Sequence, residues 1–197
     1  MVEELLDNKK LIPVPTSLAD QLRIVTRRLG TNVSNFTTTS LEQALRAEQL
    51  GSDLKEAVDL YQMNEIQRGA GMVFFQRAVF SELLSILFEN EREKILETWY
   101  RSGRWYSAYL SARLHQDILE YLEKDLLISW NLDESELIIK DVMVNVRLAS
   151  FGMSTQYTDL LVVYTKGIFD ELGYDASDED VLPGLISIKF LKKMKKN

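Results

Sequence analysis

The sequence predicts an α+β protein: a short strand and two helices at the N-terminus, then a mostly helical domain carrying a small antiparallel sheet. Three observations lead there. Apolar residues recur at helical spacing over most of the chain. Over 142–148 they alternate instead, with Val142, Val144, Val146 and Leu148 on one face and Met143, Asn145 and Arg147 on the other. Gly51-Ser52 marks a boundary, so two domains are expected, 1–50 and 53–197.

The elements follow in order. Residues 9–14, Lys9 through Val14, read as a short extended segment, because Pro13 and Pro15 both disfavour helix before them. Ser17 is a candidate cap for a helix over about 18–29, with Leu18, Leu22, Val25 and Leu29 on one face. Gly30 is placed to end it in a left-handed conformation. Ser34 then caps a second helix over about 35–49, whose apolar side is Phe36, Leu41, Ala44, Leu45 and Ala47. A third helical stretch over about 53–66 breaks at Gly69-Ala70-Gly71, and Met72-Val73-Phe74-Phe75 has the composition of a short strand. Helices are expected over about 77–88 and 91–124, the second interrupted near Gly103, and over about 158–172, stopping at Gly173. An acidic loop, Asp175 to Asp180, leads to a last strand at about 185–191.

Charge is unevenly spread. The net charge is −7, yet residues 8–47 hold six basic and two acidic side chains, a net +4, which leaves −11 for the rest. A basic head on an acidic body suits a nucleic-acid module attached to something else. Cysteine is absent, which removes disulfides, thiolate metal sites and a cysteine nucleophile together. MVEELLDNKK is too polar for a signal peptide, and no apolar run approaches a membrane span. A cytoplasmic location is therefore expected.

The order strand, helix, turn, helix resembles the ribbon-helix-helix family of transcription regulators. It is carried by Ile12-Pro13-Val14-Pro15-Thr16-Ser17-Leu18, by Leu22, Val25 and Leu29-Gly30, and by Ser34-Asn35-Phe36 with Leu41, Ala44 and Leu45. A two-stranded ribbon is not stable alone, so the resemblance implies a swapped homodimer. It also implies DNA binding. Strand residues Lys9 and Leu11 would enter the major groove, and the second helix's start, Thr31, Asn32, Ser34 and Asn35, would dock on phosphate beside Arg27 and Arg28. Pro13, on the outward strand face, offers no side-chain hydrogen bond to a base, so a unit that only dimerises is the alternative.

The C-terminal body resembles the 4-vinyl-reductase-like ligand-binding domain and its TRAPP-like relatives. The residues behind this are Met72 to Arg77, the Ser102-Gly103 break, Val142 to Leu148, and Tyr164-Thr165-Lys166-Gly167-Ile168. The resemblance implies a sensor for a hydrophobic small molecule. That family's late cysteines are missing, so no metal site is carried over. The aromatic group Trp99, Tyr100, Trp105, Tyr106 and Tyr109 has two readings. Trp99, Trp105, Tyr106 and Tyr109 would form a ligand-pocket wall. Alternatively, the face shared by Trp99, Gly103, Tyr106 and Leu110 is simply core, as such stripes usually are.

No constellation supports catalysis, so an enzyme is not expected, and neither a metal nor a cofactor is called for. His115 is the only histidine and has no evident nucleophile to serve. Gly69-Ala70-Gly71 lacks the rest of a phosphate loop. Lys189, Lys192, Lys193, Lys195 and Lys196 form a basic tail suited either to DNA phosphates or to solvation. The expectation is thus a dimeric DNA-binding transcription regulator with a ligand-sensing body. The alternative is a dimeric adaptor that meets another protein and does not bind DNA.

Overall fold

A computed structural model describes residues 11–114 and 118–194, and they form helices α1 (Thr16–Leu29), α2 (Val33–Gln49), α3 (Leu54–Gly69), α4 (Arg77–Arg113), α5 (Ile118–Ser129) and α6 (Thr155–Glu171) with strands β1 (Glu134–Lys140), β2 (Met143–Ala149), β3 (Tyr174–Leu182) and β4 (Leu185–Lys192). The chain divides into two compact units, 1–64 and 65–197. None of the described helices is long and apolar enough to cross a membrane.

The first unit contains α1 and α2. Helix α1 ends as its sequence dictates: Gly30 takes φ 66°, and the Gly30 and Thr31 N–H groups close on the carbonyls of Arg27 and Thr26. The caps differ from expectation. Ser17 lies inside α1, and Ser34 lies inside α2, where Asn32 is the cap and accepts from the Asn35 N–H at 2.8 Å. Asn32 stands at extended φ/ψ just before the first helical turn, which is where a cap must be. Asp53 does the same for α3, accepting from the Glu56 N–H at 2.7 Å.

The ribbon is not formed. Residues 11–15 are irregular, pair with no strand among the described residues, and expose Leu11, Ile12 and Val14. Pro13 and Pro15 lack N–H donors, which weakens any ladder there. The part of the predicted strand at Lys9 and Lys10 lies outside the described residues.

The second unit has three layers. Four antiparallel strands in the order β1-β2-β4-β3 form one face. Val144, Val146 and Leu148 stand directly opposite Phe190, Ile188 and Ile186 in the register, and all six are buried. Val142 is exposed, because the predicted strand starts one residue late and Val142 sits in the turn. Helix α6 lies on this sheet, with the Phe169 ring stacked on Phe190 at 4.2 Å. It is buried nearly all round, as a central helix must be. Helix α4 covers its other side. Helix α5 packs near β1.

Four sequence expectations for this unit are corrected. Met72 to Phe75 is not a strand: Gly71 turns the chain at φ 74°, and the segment pairs with no described strand. The helix is not interrupted at Gly103 and ends at Arg113, short of 124; its one non-helical residue is Glu91, φ −137° and ψ 31°, at the junction expected between the 77–88 and 91–124 helices. Asp175 to Asp180 is no loop but the edge strand β3, its charges turned to solvent as an unpaired edge requires. Finally, β1 occupies a stretch to which the sequence pattern assigns no element.

Candidate functional site

The site begins with a helix crossing. Where α4 meets α6, the two backbones touch. A Cβ on Gly103 would stand 2.2 Å from the Tyr164 carbonyl oxygen, and one on Gly167 would stand 2.1 Å from the Tyr100 oxygen. Only glycine permits that approach. Both helices also line a cavity of about 620 Å³. That is within the usual range for small-molecule sites. A shallower hollow of about 340 Å³ lies against Glu134, Glu136, Arg147 and Asp180 of the sheet. It has none of the aromatic lining described below.

Each wall of the larger cavity comes from a different element. Helix α4 supplies Arg77, Phe80, Trp99, Ser102, Trp105 and Tyr106; α6 supplies Tyr157 and Tyr164. The end of α5 supplies Ile128 to Asn131, and the segment from Ala70 to Phe75 closes another side. The rings hold one another in place. Tyr157 meets Phe80 edge-on at 5.6 Å and Trp130 at 5.1 Å, and Trp130 meets Tyr164 at 5.3 Å. All three tryptophans of the chain, Trp99, Trp105 and Trp130, line this one cavity.

One charged side chain stands in the wall. Arg77 is half-buried, and its Nη2 donates to the Asn131 carbonyl at 2.7 Å. That carbonyl is presented by a helix end. Asn131 takes a left-handed φ of 49° after α5, and the Asn131 and Leu132 N–H groups close on the carbonyls of Ile128 and Leu127. On the other side, a Cβ on Gly152 would lie 3.0 Å from Arg77 Nη1, so glycine leaves the guanidinium its space. No acidic residue lines the cavity, and no ion pair engages Arg77 among the described residues.

Behind the wall lies a buried polar cluster. Asp125 is 1% exposed, and its Oδ1 accepts from Gln67 Nε2 at 2.8 Å, Tyr106 OH at 3.1 Å and Ser129 Oγ at 3.2 Å. Burial pushes the Asp125 carboxyl above its ordinary range, and these hydrogen bonds oppose the shift. Burial also raises Tyr106, Tyr121, Tyr157 and Tyr164, so all four phenols stay protonated at neutral pH. For Tyr157 the nearby Arg77 charge works against that rise.

The predicted site residues fall in two places. Trp99, Trp105 and Tyr106 line the cavity, and Tyr106 is at once a wall residue and 1% exposed core. Tyr109 is not in the wall. It stacks on Trp105 at 5.6 Å, and its hydroxyl points to the Ile66 carbonyl at 3.4 Å. The candidate DNA contacts are in the other unit. Arg27 and Arg28 are exposed in the last turn of α1, Thr31 and Asn32 form the turn, Ser34 and Asn35 open α2, and Leu11 is fully exposed. Lys9 and His115 lie outside the described residues. In the lysine tail, Lys189 pairs with Asp178, while Lys193 pairs with Asp170 and Asp175. Those two lysines are thus engaged within the fold.

No family model matches the chain, and no curated protein matches it. Solved structures do. A mutant T. Tengcongensis H-NOX shares 13% identity, covering 72% of this chain and 93% of that one, at a TM-score of 0.41. A Cs H-NOX mutant shares 13% over 68% and 86%, at 0.40. A structure concerned with heme distortion in the H-NOX family shares 16% over 72% and 90%, at 0.39. At such scores the likeness carries no functional argument.

These findings correct the sequence expectations. The structures named are H-NOX domains and not ribbon-helix-helix regulators, and the described N-terminus is helical with no ribbon. The DNA-binding regulator falls with the ribbon, as do its swapped homodimer and the dimeric adaptor offered as its alternative. The 4-vinyl-reductase-like resemblance falls too, since the strand it needs at Met72 to Phe75 is absent and no family model supports it.

Heme can be tested against the lining itself. Protein ligands to heme iron are histidine, cysteine thiolate, methionine or tyrosinate. The described lining holds no histidine or cysteine; of these ligand types it offers only the phenols of Tyr106, Tyr157 and Tyr164 and one thioether, that of Met72. The described lining therefore lacks the histidine or thiolate that most often holds a heme iron.

Sequence reasoning missed Phe80, Trp130, Tyr157 and Asp125. One signal was available for the last. Asp125 stands three residues after Leu122 and four after Tyr121, which puts an acid on the inward face of its helix with Leu122 and Leu126. The aromatic residues carried no such signal, because they come from elements far apart in sequence.

Proposed function

We propose that residues 65–197 bind a small, flat, largely apolar organic molecule in the cavity between α4, α5 and α6. The observation that supports this is the aromatic lining. Six rings, Phe80, Trp99 and Trp105 of α4, Tyr157 and Tyr164 of α6, and Trp130 just after α5, line an open volume of about 620 Å³. Aromatic rings from several elements converging on one open cleft are what a small-molecule site uses.

The experiment uses the full chain and a neutral fluorescent aromatic probe, N-phenyl-1-naphthylamine. Saturable binding with quenching of tryptophan emission is expected, since every tryptophan faces the cavity. A Ser102→Phe variant, which places a ring into the space, should bind at least about tenfold more weakly. Non-saturable binding, or binding that Ser102→Phe leaves unchanged, would overturn the proposal.

A further inference from the structure

The geometry points to an aromatic or apolar carboxylate as the ligand class, with its anionic group held by Arg77. This rests on the cavity being a ligand site and adds what that ligand must carry. Four observations converge. The Arg77 guanidinium is half-buried in the wall and has no carboxylate partner among the described residues. It is also held in place, by the Asn131 carbonyl at 2.7 Å on one side and the bare backbone of Gly152 on the other. One backbone carbonyl satisfies a single donor of a group that carries five. The others suit a planar, two-oxygen acceptor.

The rest of the lining has the same polarity. The Tyr164 and Tyr157 hydroxyls, both in the cavity wall, make no hydrogen bond to the described residues. Both phenols stay protonated, so both are available as donors. The indole N–H groups of Trp99, Trp105 and Trp130 also have no acceptor among the described residues. A wall that offers a cation and donors, and no carboxylate, selects against cationic ligands and in favour of anions. The aromatic rings set the other half of the ligand, a flat apolar body.

The test is isothermal titration of the full chain with three matched ligands: 2-naphthoate, 2-naphthalenemethanol and 2-naphthylmethylammonium. Wild-type protein is expected to bind 2-naphthoate at least about tenfold more tightly than the alcohol, and the ammonium weakest. Arg77→Gln should bring naphthoate down to the alcohol's affinity and leave the alcohol unmoved. Arg77→Lys should retain most of the preference. An alcohol that binds as well as naphthoate to wild type overturns the inference while leaving the cavity a ligand site. A preference for naphthoate that survives Arg77→Gln overturns Arg77 as its holder. If none of the three binds, the cavity reading itself fails. Circular dichroism checks the variants, and should Arg77→Gln not fold, the wild-type ranking of the three ligands decides.

Discussion

Gly103 of α4 and Gly167 of α6 face each other across a crossing so close that each leaves room for the other helix's backbone. A Cβ on Gly103 would meet the Tyr164 carbonyl at 2.2 Å, and one on Gly167 would meet the Tyr100 carbonyl at 2.1 Å. Neither obstacle is a side chain that can swing away. This contact sets where α4 carries Trp99, Ser102 and Trp105 relative to Tyr157 and Tyr164, and so it shapes the cavity.

Gly167→Ala should therefore destabilise the protein although alanine is the better helix former. Forcing the helices apart costs about 1–3 kcal/mol in a packed interior, against a propensity gain of about 1 kcal/mol. Urea unfolding should show a lowered midpoint with an unchanged slope. An unchanged midpoint would mean the crossing relaxes freely.

Asp125 should leave a signature in the pH dependence of stability. Burial raises its folded-state pKa above the unfolded value. The sign follows from linkage: its contribution is fully present below the unfolded carboxylate pKa and is lost as pH rises through the folded one. Asp125→Asn keeps an oxygen for Gln67, Tyr106 and Ser129 and removes the ionisation. The variant's stability relative to wild type should rise as pH increases from about 4 upward. Urea midpoints for both proteins at several pH values check this. A constant difference would show that Asp125 does not titrate differently on folding.

Asn32 and not Ser34 should behave as the cap of α2. Asn32→Ala removes the acceptor of the Asn35 N–H and should cost about 1 kcal/mol. Ser34→Ala, inside the helix, should change stability by less than about 0.5 kcal/mol. Thermal melts of the two variants side by side are sufficient, and equal losses would contradict the assignment.

The Lys193 ammonium, beside Asp170 and Asp175, holds the Asp170 carboxyl below its ordinary range. A depressed carboxylate stabilises above its unfolded pKa and loses that contribution as pH falls through the folded value. The pair is part-exposed, so Lys193→Ala should cost no more than about 1 kcal/mol at neutral pH. The loss should shrink in high salt. A Tm difference insensitive to salt would point to packing by the lysine stem instead.

Several elements were legible in the sequence for local reasons. The α1 end at Gly30, the alternation that buries Val144, Val146 and Leu148, and the stop of α6 at Gly173 each follow from residues adjacent in the chain. The errors also have local causes. Acidic residues masked β3, because an edge strand needs no apolar alternation to be stable beside β4. The run Met72-Val73-Phe74-Phe75 has strand composition but pairs with no strand among the described residues. Gly103 resembled a helix breaker, although it is a contact point between helices.

By itself the sequence determined what depends on neighbours within a few residues: the α+β class, the positions of most helices, the core face of β2, and the absence of any cysteine chemistry. Periodicity and local backbone preference reach no further than one element. Only the tertiary structure decided the site. It brought Arg77, Trp99, Trp130, Tyr157 and Tyr164 around one cavity and drew Gln67, Tyr106 and Asp125 together behind it. Those residues meet because two glycines let α4 and α6 touch, and no pattern within either helix records where its partner will cross.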